Sequence, residues 1–171
     1  CIWLEDASPK DISKLTLLLE RVNKVKQYRA KSTREATRKL ADYPTLFGEI
    51  RQPKSNYLLI PGVSSENRKY IPIGYLDKEI IASDLARTLP DAKMYHFGIL
   101  TSLMHMTWVR YVCGRLKSDY RYSGSIVYNN FPWPLNPTDR QVKAIEAAAQ
   151  KVLDVREEFM TPPRPTATPP H

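Results

Sequence analysis

The chain has 171 residues, enough for one domain or a domain with a helical appendage, and its 42% hydrophobic content supports a core, which excludes wholesale disorder. Lys and Arg number 26 against 18 Asp and Glu, and the resulting net charge of +8 favours a polyanionic partner. No apolar run approaches the roughly 18 residues that span a membrane, and the two cysteines, Cys1 and Cys113, make no disulfide framework, so a reducing compartment is expected.

CIWLEDASPK reads as a short strand running into a helix start. It lacks the basic, then apolar, then small-residue order of a secretory leader, and it has no initial Met, so the chain is expected to be an excised or processed piece of a longer protein. Ser8 is the expected N-cap, Pro9 the first helical residue and Asp11 the capping-box partner. Ile12, Leu15, Leu18 or Leu19, Val22 and Val25 recur at three or four residues, which predicts one buried face on a helix reaching about Lys31. A second helix follows over 33–40. Residues 21–40 hold eight Lys or Arg and one Glu. That cluster is either a solvated helix face or a row, including Arg21, Lys24, Arg29, Arg34 and Arg38, laid along phosphates.

From Leu46 to Leu89 the pattern becomes NYLLIP, KYIPIGYL and KEIIASD, separated by Pro, Gly and Ser, which predicts a small irregular antiparallel sheet with edge strands. MYHFGILTSLMHMTWVRYVC returns to helical spacing, with Phe97, Leu100, Met104, Trp108 and Tyr111 or Val112 on one stripe. GRLKSDYRYSGSIVYNNFPWP reads as loop, strand and Pro-rich turn. Residues 138–160 form a clear helix, capped by Thr138 and carrying Val142, Ile145, Ala149, Val152 or Leu153, and Arg156. TPPRPTATPPH at 161–171 reads as a disordered Pro-rich tail. The fold class is α+β: a small irregular antiparallel sheet flanked by helices, with a C-terminal helical part. The expected division is 1–91, then 92–160, then the tail.

No complete catalytic constellation is legible. Amino-methyltransferases of DNA hold a flipped base with Asn/Asp-Pro-Pro-Tyr/Phe. The order here is Asn129-Asn130-Phe131-Pro132-Trp133-Pro134, so SIVYNNFPWPLNP is not that loop and reads instead as a buried strand end stopped by prolines. The six glycines are isolated, so no cofactor-binding Gly-rich turn is present. His96 and His105 are poorly spaced as ligands, His171 stands alone, and no Cys pair assists them, so no metal site is expected. Cys113 follows an apolar helix and reads as a core thiol. Asp77, Glu79 and Asp84 lack the spacing of a nuclease carboxylate cluster.

Several stretches together resemble one family: PTLFGEIRQPKSNYLLIP, VSSENRKYIPIGYL, YHFGILTSLMHMTWVR, CGRLKSDYRYS and IVYNNFPWP, over residues 43–134, with CIWLEDASP also fitting. They resemble the fused restriction–modification enzymes of the MmeI type (type IIG or IIL). The resemblance implies a bacterial, cytoplasmic parent in which one polypeptide carries a nuclease and an N6-adenine methyltransferase using S-adenosylmethionine, with Mg for the nuclease. This chain then corresponds to the second half of the target-recognition domain plus a C-terminal helical region. No cofactor is expected within it.

The implied partners are double-stranded DNA and the upstream methyltransferase domain. Arg34, Arg38, Arg51, Lys54, Lys69, Arg115, Lys117 and Arg121 are the candidate phosphate contacts. Base reading needs planar polar side chains on a short loop, and SSENRKY supplies Ser65, Glu66, Asn67 and Arg68. Glu66 and Arg68 are two apart, so an extended segment would project them from one face. By resemblance to the family's acidic/basic pair, they help set one base pair. The plainer alternative is a surface loop with a weak salt bridge, worth about 0–1 kcal/mol. A second reading of the whole chain is a non-catalytic docking module bracing the methyltransferase.

Overall fold

The computed structural model describes residues 2–160; Cys1 and the Pro-rich 161–171 lie outside the described residues, and so does the expectation of a disordered tail. The backbone forms two compact units, one up to Arg51 and one from Gln52 on.

In the first unit, the strand expected over CIWLED does not form among its described residues, 2–6. Ala7 N–H donates to Leu4 O (3.3 Å), which closes a turn, and Trp3 stacks on Phe47 with ring centroids 5.4 Å apart. Ser8 caps α1 (Pro9–Ser13) by accepting from Lys10 N–H (3.2 Å). Asp11 takes the Lys14 ammonium (3.3 Å), so the capping box stays unclosed at its acidic end. The single helix expected to Lys31 breaks at Lys14–Leu15, because Leu15 leaves helical backbone (φ −104, ψ 86) and α2 starts afresh at Thr16–Ala30. Leu15 is 56% exposed in consequence, and Ile12 alone of the expected stripe is fully buried.

Arg29 does not belong to a phosphate row. Its Nη1 donates to Leu40 O (3.0 Å) and Tyr43 O (2.8 Å), and its Nη2 to Leu46 O (2.8 Å). A planar guanidinium can satisfy several carbonyls at once, which suits it to pin α2 to the chain beyond α3 (Glu35–Lys39) and its 3-10 extension (Leu40–Asp42).

The second unit is built on β1 (Tyr57–Pro61), with Tyr57, Leu58 and Ile60 buried. It pairs antiparallel with β3 (Gly74–Leu76) and β4 (Ala86–Pro90), giving the order β3-β1-β4. The expected strand KEIIASD is a loop. Gln52 takes its backbone groups instead: Nε2 donates to Lys78 O (2.9 Å) and Ile80 O (2.8 Å), while Oε1 accepts from Ala82 N–H (2.9 Å). Ile80 and Ile81 supplied the apolar signal there, yet both are exposed. The strand that does form, ARTLP, is less apolar.

At Gly62 the chain leaves the first sheet for a second. Gly62 N–H donates to Leu85 O (3.0 Å), and Gly62 O accepts from Tyr122 N–H (2.9 Å). β2 (Val63–Ser64) then pairs with β6 (Asp119–Arg121), itself paired with β5 (Gly114–Leu116), in the order β2-β6-β5. Elements on both sides of the expected division at 91–92 therefore share this unit.

The long helix expected over 94–113 is two, α4 (Met94–Leu100) and α5 (Leu103–Val112). Thr101 Oγ1 bonds back to Phe97 O (2.7 Å), and Ser102 Oγ caps the new helix at His105 N–H (3.1 Å). The break resets the helical phase. Phe97 and Leu100 are buried as expected, but Met104 (70%) and Tyr111 (86%) face outward, and His105, Met106 and Val109 fill the core. Cys113 is buried, and burial pushes its thiol pKa up, as a core thiol requires.

SIVYNNFPWP is not a strand end. Gly124–Tyr128 make a wide helical turn, closed by Asn129 N–H to Gly124 O (2.9 Å), and Asn130 Nδ2 bonds Ser125 O (2.8 Å) and Ile126 O (3.0 Å). The Asn130 amide is thereby committed to its own backbone. The aromatics do pack: Phe131 is buried, edge-on to His105 and Trp133.

α6 (Asp139–Met160) starts at a closed capping box, Thr138 N–H to Gln141 Oε1 (2.8 Å) and Gln141 N–H to Thr138 Oγ1 (3.4 Å). It lies across α4 at Gly98. Near its end Arg156 donates to Ile73 O (2.6 Å) and sits over the Phe97 ring. Among the described residues no helix is long and apolar enough to cross a membrane.

A Cβ on Gly62 would sit 2.2 Å from Leu85 O, a backbone atom that cannot step aside. Gly62→Ala is therefore expected to destabilise the second unit by roughly 1–3 kcal/mol, the range for forced overpacking. Urea unfolding of wild type and variant measures this.

Candidate nucleic-acid interface

The loop 65–69 follows β2 and does not run extended. Arg68 N–H donates to Ser65 O (3.1 Å) and Asn67 N–H to Ser65 Oγ (3.3 Å), which makes 65–68 a turn with Glu66 and Asn67 at its centre. The expectation that Glu66 and Arg68 share one strand face is thus corrected: the side-chain hydroxyl of Ser65 and its carbonyl bend the chain before a second extended residue is reached. Glu66, Asn67, Arg68 and Lys69 are all exposed, and among the described residues no ion pair joins Glu66 to Arg68. Their charged ends are free for a ligand.

The turn lies beside the β5–β6 hairpin. Asp119 Oδ1 accepts from Glu66 N–H (3.2 Å), across 53 residues of sequence. The β2–β6 register sets Val63 opposite Arg121 and Ser64 opposite Tyr120. Tyr120 is buried, so alternation turns Asp119 and Arg121 to the other face. Arg115 lies over the Tyr120 ring (4.1 Å to the centroid) and donates to Ser118 O (2.9 Å), which holds the guanidinium flat at the hairpin. Lys117 occupies the hairpin turn with φ 57, a left-handed backbone that favours glycine.

Three of the expected phosphate contacts, Arg115, Lys117 and Arg121, lie on the hairpin that the turn is bonded to, with Arg121 opposite Val63 and Arg115 on the Tyr120 face of β5. Lys69 continues the same loop, with its ammonium 5.8 Å from the Tyr70 ring centroid. Lys54 precedes β1, whereas the loop follows β2. The remaining three belong to the first unit. Arg51 is ion-paired with Glu49. Arg38 spends Nη1 on Ser32 O and Thr33 O (3.0 Å each). Arg34 is exposed at the start of α3.

Behind the hairpin lies a buried polar pair that the sequence did not disclose. Tyr122, one residue past β6, puts its hydroxyl 3.0 Å from Nε2 of His105 on α5. Both side chains are almost fully buried, and His105 Nδ1 has no protein partner. Burial lowers the His105 pKa from 6.5 to about 4 and pushes the Tyr122 phenol up. The pair is therefore neutral, and it ties β6 to α5. Among the described residues, no group of three His, Cys, Asp or Glu side chains is placed to hold a metal.

The family model for the MmeI target recognition domain matches residues 1–135. The chain belongs to that family. The match passes the division expected at 91–92 and takes in both the 65–69 turn and the hairpin. DNA methyltransferase A of Bacillus subtilis (strain 168) is 45% identical over 158 residues, covering 92% of this chain and 18% of the relative. A solved structure of the type IIL restriction–modification enzyme MmeI in complex with DNA aligns at a TM-score of 0.84 and 46% identity, over 96% of this chain and 22% of that one. The chain thus spans about a fifth of the length of these relatives.

The neutral His105 gives this MmeI-family domain an acid-sensitive support. Its folded pKa lies below the unfolded value, so the unfolded chain binds the extra proton between pH 6.5 and 4. Stability from this group is present above pH 6.5 and lost as the pH falls through that window. Urea unfolding is expected to show about 2 kcal/mol less stability at pH 5 than at pH 7.5 from this group. His105→Gln should remove that share of the pH dependence.

Proposed function

We propose that this chain reads the sequence of duplex DNA and thereby aims a methyltransferase and an endonuclease carried on the same polypeptide, without catalysing either reaction itself. The observation that carries the reading is the meeting of the Ser65–Arg68 turn with the basic β5–β6 hairpin. Recognition needs cations to hold phosphates and planar polar groups to reach base edges, side by side. Arg115, Lys117, Arg121 and Lys69 supply the first. Glu66, Asn67 and Arg68 supply the second: Arg pairs with guanine O6 and N7, Asn with adenine, and Glu accepts from cytosine N4. Glu66 at the centre of the turn and Arg68 at its end are the two side chains assigned to the bases of one C·G pair. Arg34, Arg38 and Arg51 on the first unit, and Lys54 before β1 on the second, are each candidate phosphate contacts of their own unit.

Family membership supports this, as does the DNA in the MmeI structure. S-adenosylmethionine and Mg belong to the catalytic parts of the parent. The residues of this chain do not fit either group, having isolated glycines and no carboxylate cluster among the described residues.

One observation favours the docking reading for part of the chain. Val152, Val155 and Phe159 are exposed along one stripe of α6. That face suits packing on another domain, and the two roles are compatible.

Exchange of the pair, Glu66→Arg with Arg68→Glu, in the full polypeptide is expected to shift preference at one base pair by about 1–3 kcal/mol and leave the rest of the site intact. Binding to a randomised duplex library, read by sequencing, measures it. An equal loss on all sequences would leave these residues only positioning the backbone and move base reading elsewhere. Lys117→Gly relieves the left-handed backbone, so stability should hold or rise by up to about 1 kcal/mol. Duplex affinity should fall on every sequence, with the salt slope of log K reduced by about 1.

A further inference from the structure

We infer that Asp119 is a specificity-determining positioning residue: its carboxylate tethers the base-reading turn to the phosphate-binding hairpin and sets where Glu66 and Arg68 meet the bases. The inference rests on the DNA-reading function proposed above. The turn has three amides to satisfy. Arg68 N–H and Asn67 N–H close on Ser65, within the turn itself. Glu66 N–H alone reaches outside, to Asp119 Oδ1 at 3.2 Å. Among the described residues this is the side-chain bond that fixes the turn to β6, and a turn closed only on itself would be free to swing about β2.

The electrostatics point the same way. Asp119 stands on a hairpin with Arg115, Lys117 and Arg121 and shares a strand face with Arg121. Among the described residues none of these cations pairs with it. A carboxylate in a basic surface meant for phosphates opposes binding by like-charge repulsion. Its contribution must therefore lie elsewhere, and a charged acceptor on a backbone N–H is the stronger kind of hydrogen bond. Asp119 itself need touch no base. It acts through Glu66, whose Cα its bond holds in place, and a displacement of about 1 Å at a turn tip is enough to spoil a bidentate contact.

The test compares Asp119→Ala and Asp119→Asn in the full polypeptide that carries this chain, by amide hydrogen exchange without DNA and by selection from a randomised duplex library. Asn keeps an acceptor oxygen and loses the charge. Asp119→Ala is expected to lose the protection of the Glu66 amide and to flatten preference at the loop's base pair roughly five- to tenfold, with affinity for unrelated duplexes unchanged or raised, since a repelling carboxylate is removed. Asp119→Asn is expected to keep both the protection and most of the preference. Unchanged preference in Asp119→Ala would overturn the proposal. So would a uniform loss on all duplexes with a lowered melting temperature, since that marks general hairpin support. Asp119→Asn behaving like Asp119→Ala in selection would overturn it too, because the charge and not the tether would then matter. A wild type without any base preference would overturn the DNA-reading function and this proposal's specificity with it. The exchange measurement needs no DNA, so it separates that failure from a failure of the tether.

Discussion

The second unit depends on the passage of the backbone through Gly62. Its amide bonds Leu85 beside one three-stranded sheet, and its carbonyl bonds Tyr122 just past the central strand of the other. Each sheet is small, and three short strands bury little by themselves. Joined at Gly62, they share the core around Leu58, Ile60, Val109 and Tyr122. The joint tolerates no side chain, because Leu85 O occupies the space a Cβ would need. It also sends the chain directly into β2 and the 65–68 turn, so the candidate interface starts three residues after the point where the two sheets meet.

Two kinds of polar contact then hold the interface from different sides. The His105–Tyr122 pair lies in the core and ties β6 to α5. It is neutral, because burial penalises the charged form of each partner. The Asp119–Glu66 bond lies near the surface and ties the turn to the hairpin. The core pair places the strand, and the surface bond places the 65–68 turn beside it. A module that reads sequence needs both, since affinity comes from cations whose position can vary a little, whereas base discrimination depends on geometry to a fraction of an ångström. The distribution of charge follows the same division. Arg115, Lys117 and Arg121 are carried on the β5–β6 hairpin. Arg29, in the most basic stretch of the chain, is instead consumed as a structural clamp on three carbonyls.

The sequence by itself determined what short-range physics controls. β1 was legible from its apolar β-branched and aromatic run, and α6 from its Thr138 cap and the spacing of Ile145, Ala149 and Leu153. The 65–69 loop was legible as a polar, planar cluster between two apolar strands, and the failure of Asn129-Asn130-Phe131-Pro132 as a catalytic loop followed from residue order. Ordered blocks over 43–134 carried the family. The tertiary structure decided what depends on closing long loops. Nothing local marks residues 63–66 as neighbours of 119–121, because that pairing depends on how α4 and α5 carry the chain back. The break at Thr101–Ser102 reset a helical phase that periodicity alone carried straight through, exposing Met104 and burying His105. Ile80 and Ile81 imitated a strand, but Gln52, 26 to 30 residues earlier, had already taken the backbone groups that a strand would offer. Asp119 as a tether was invisible for the same reason: a carboxylate in a basic hairpin acquires its meaning only when the fold brings an unsatisfied amide to it.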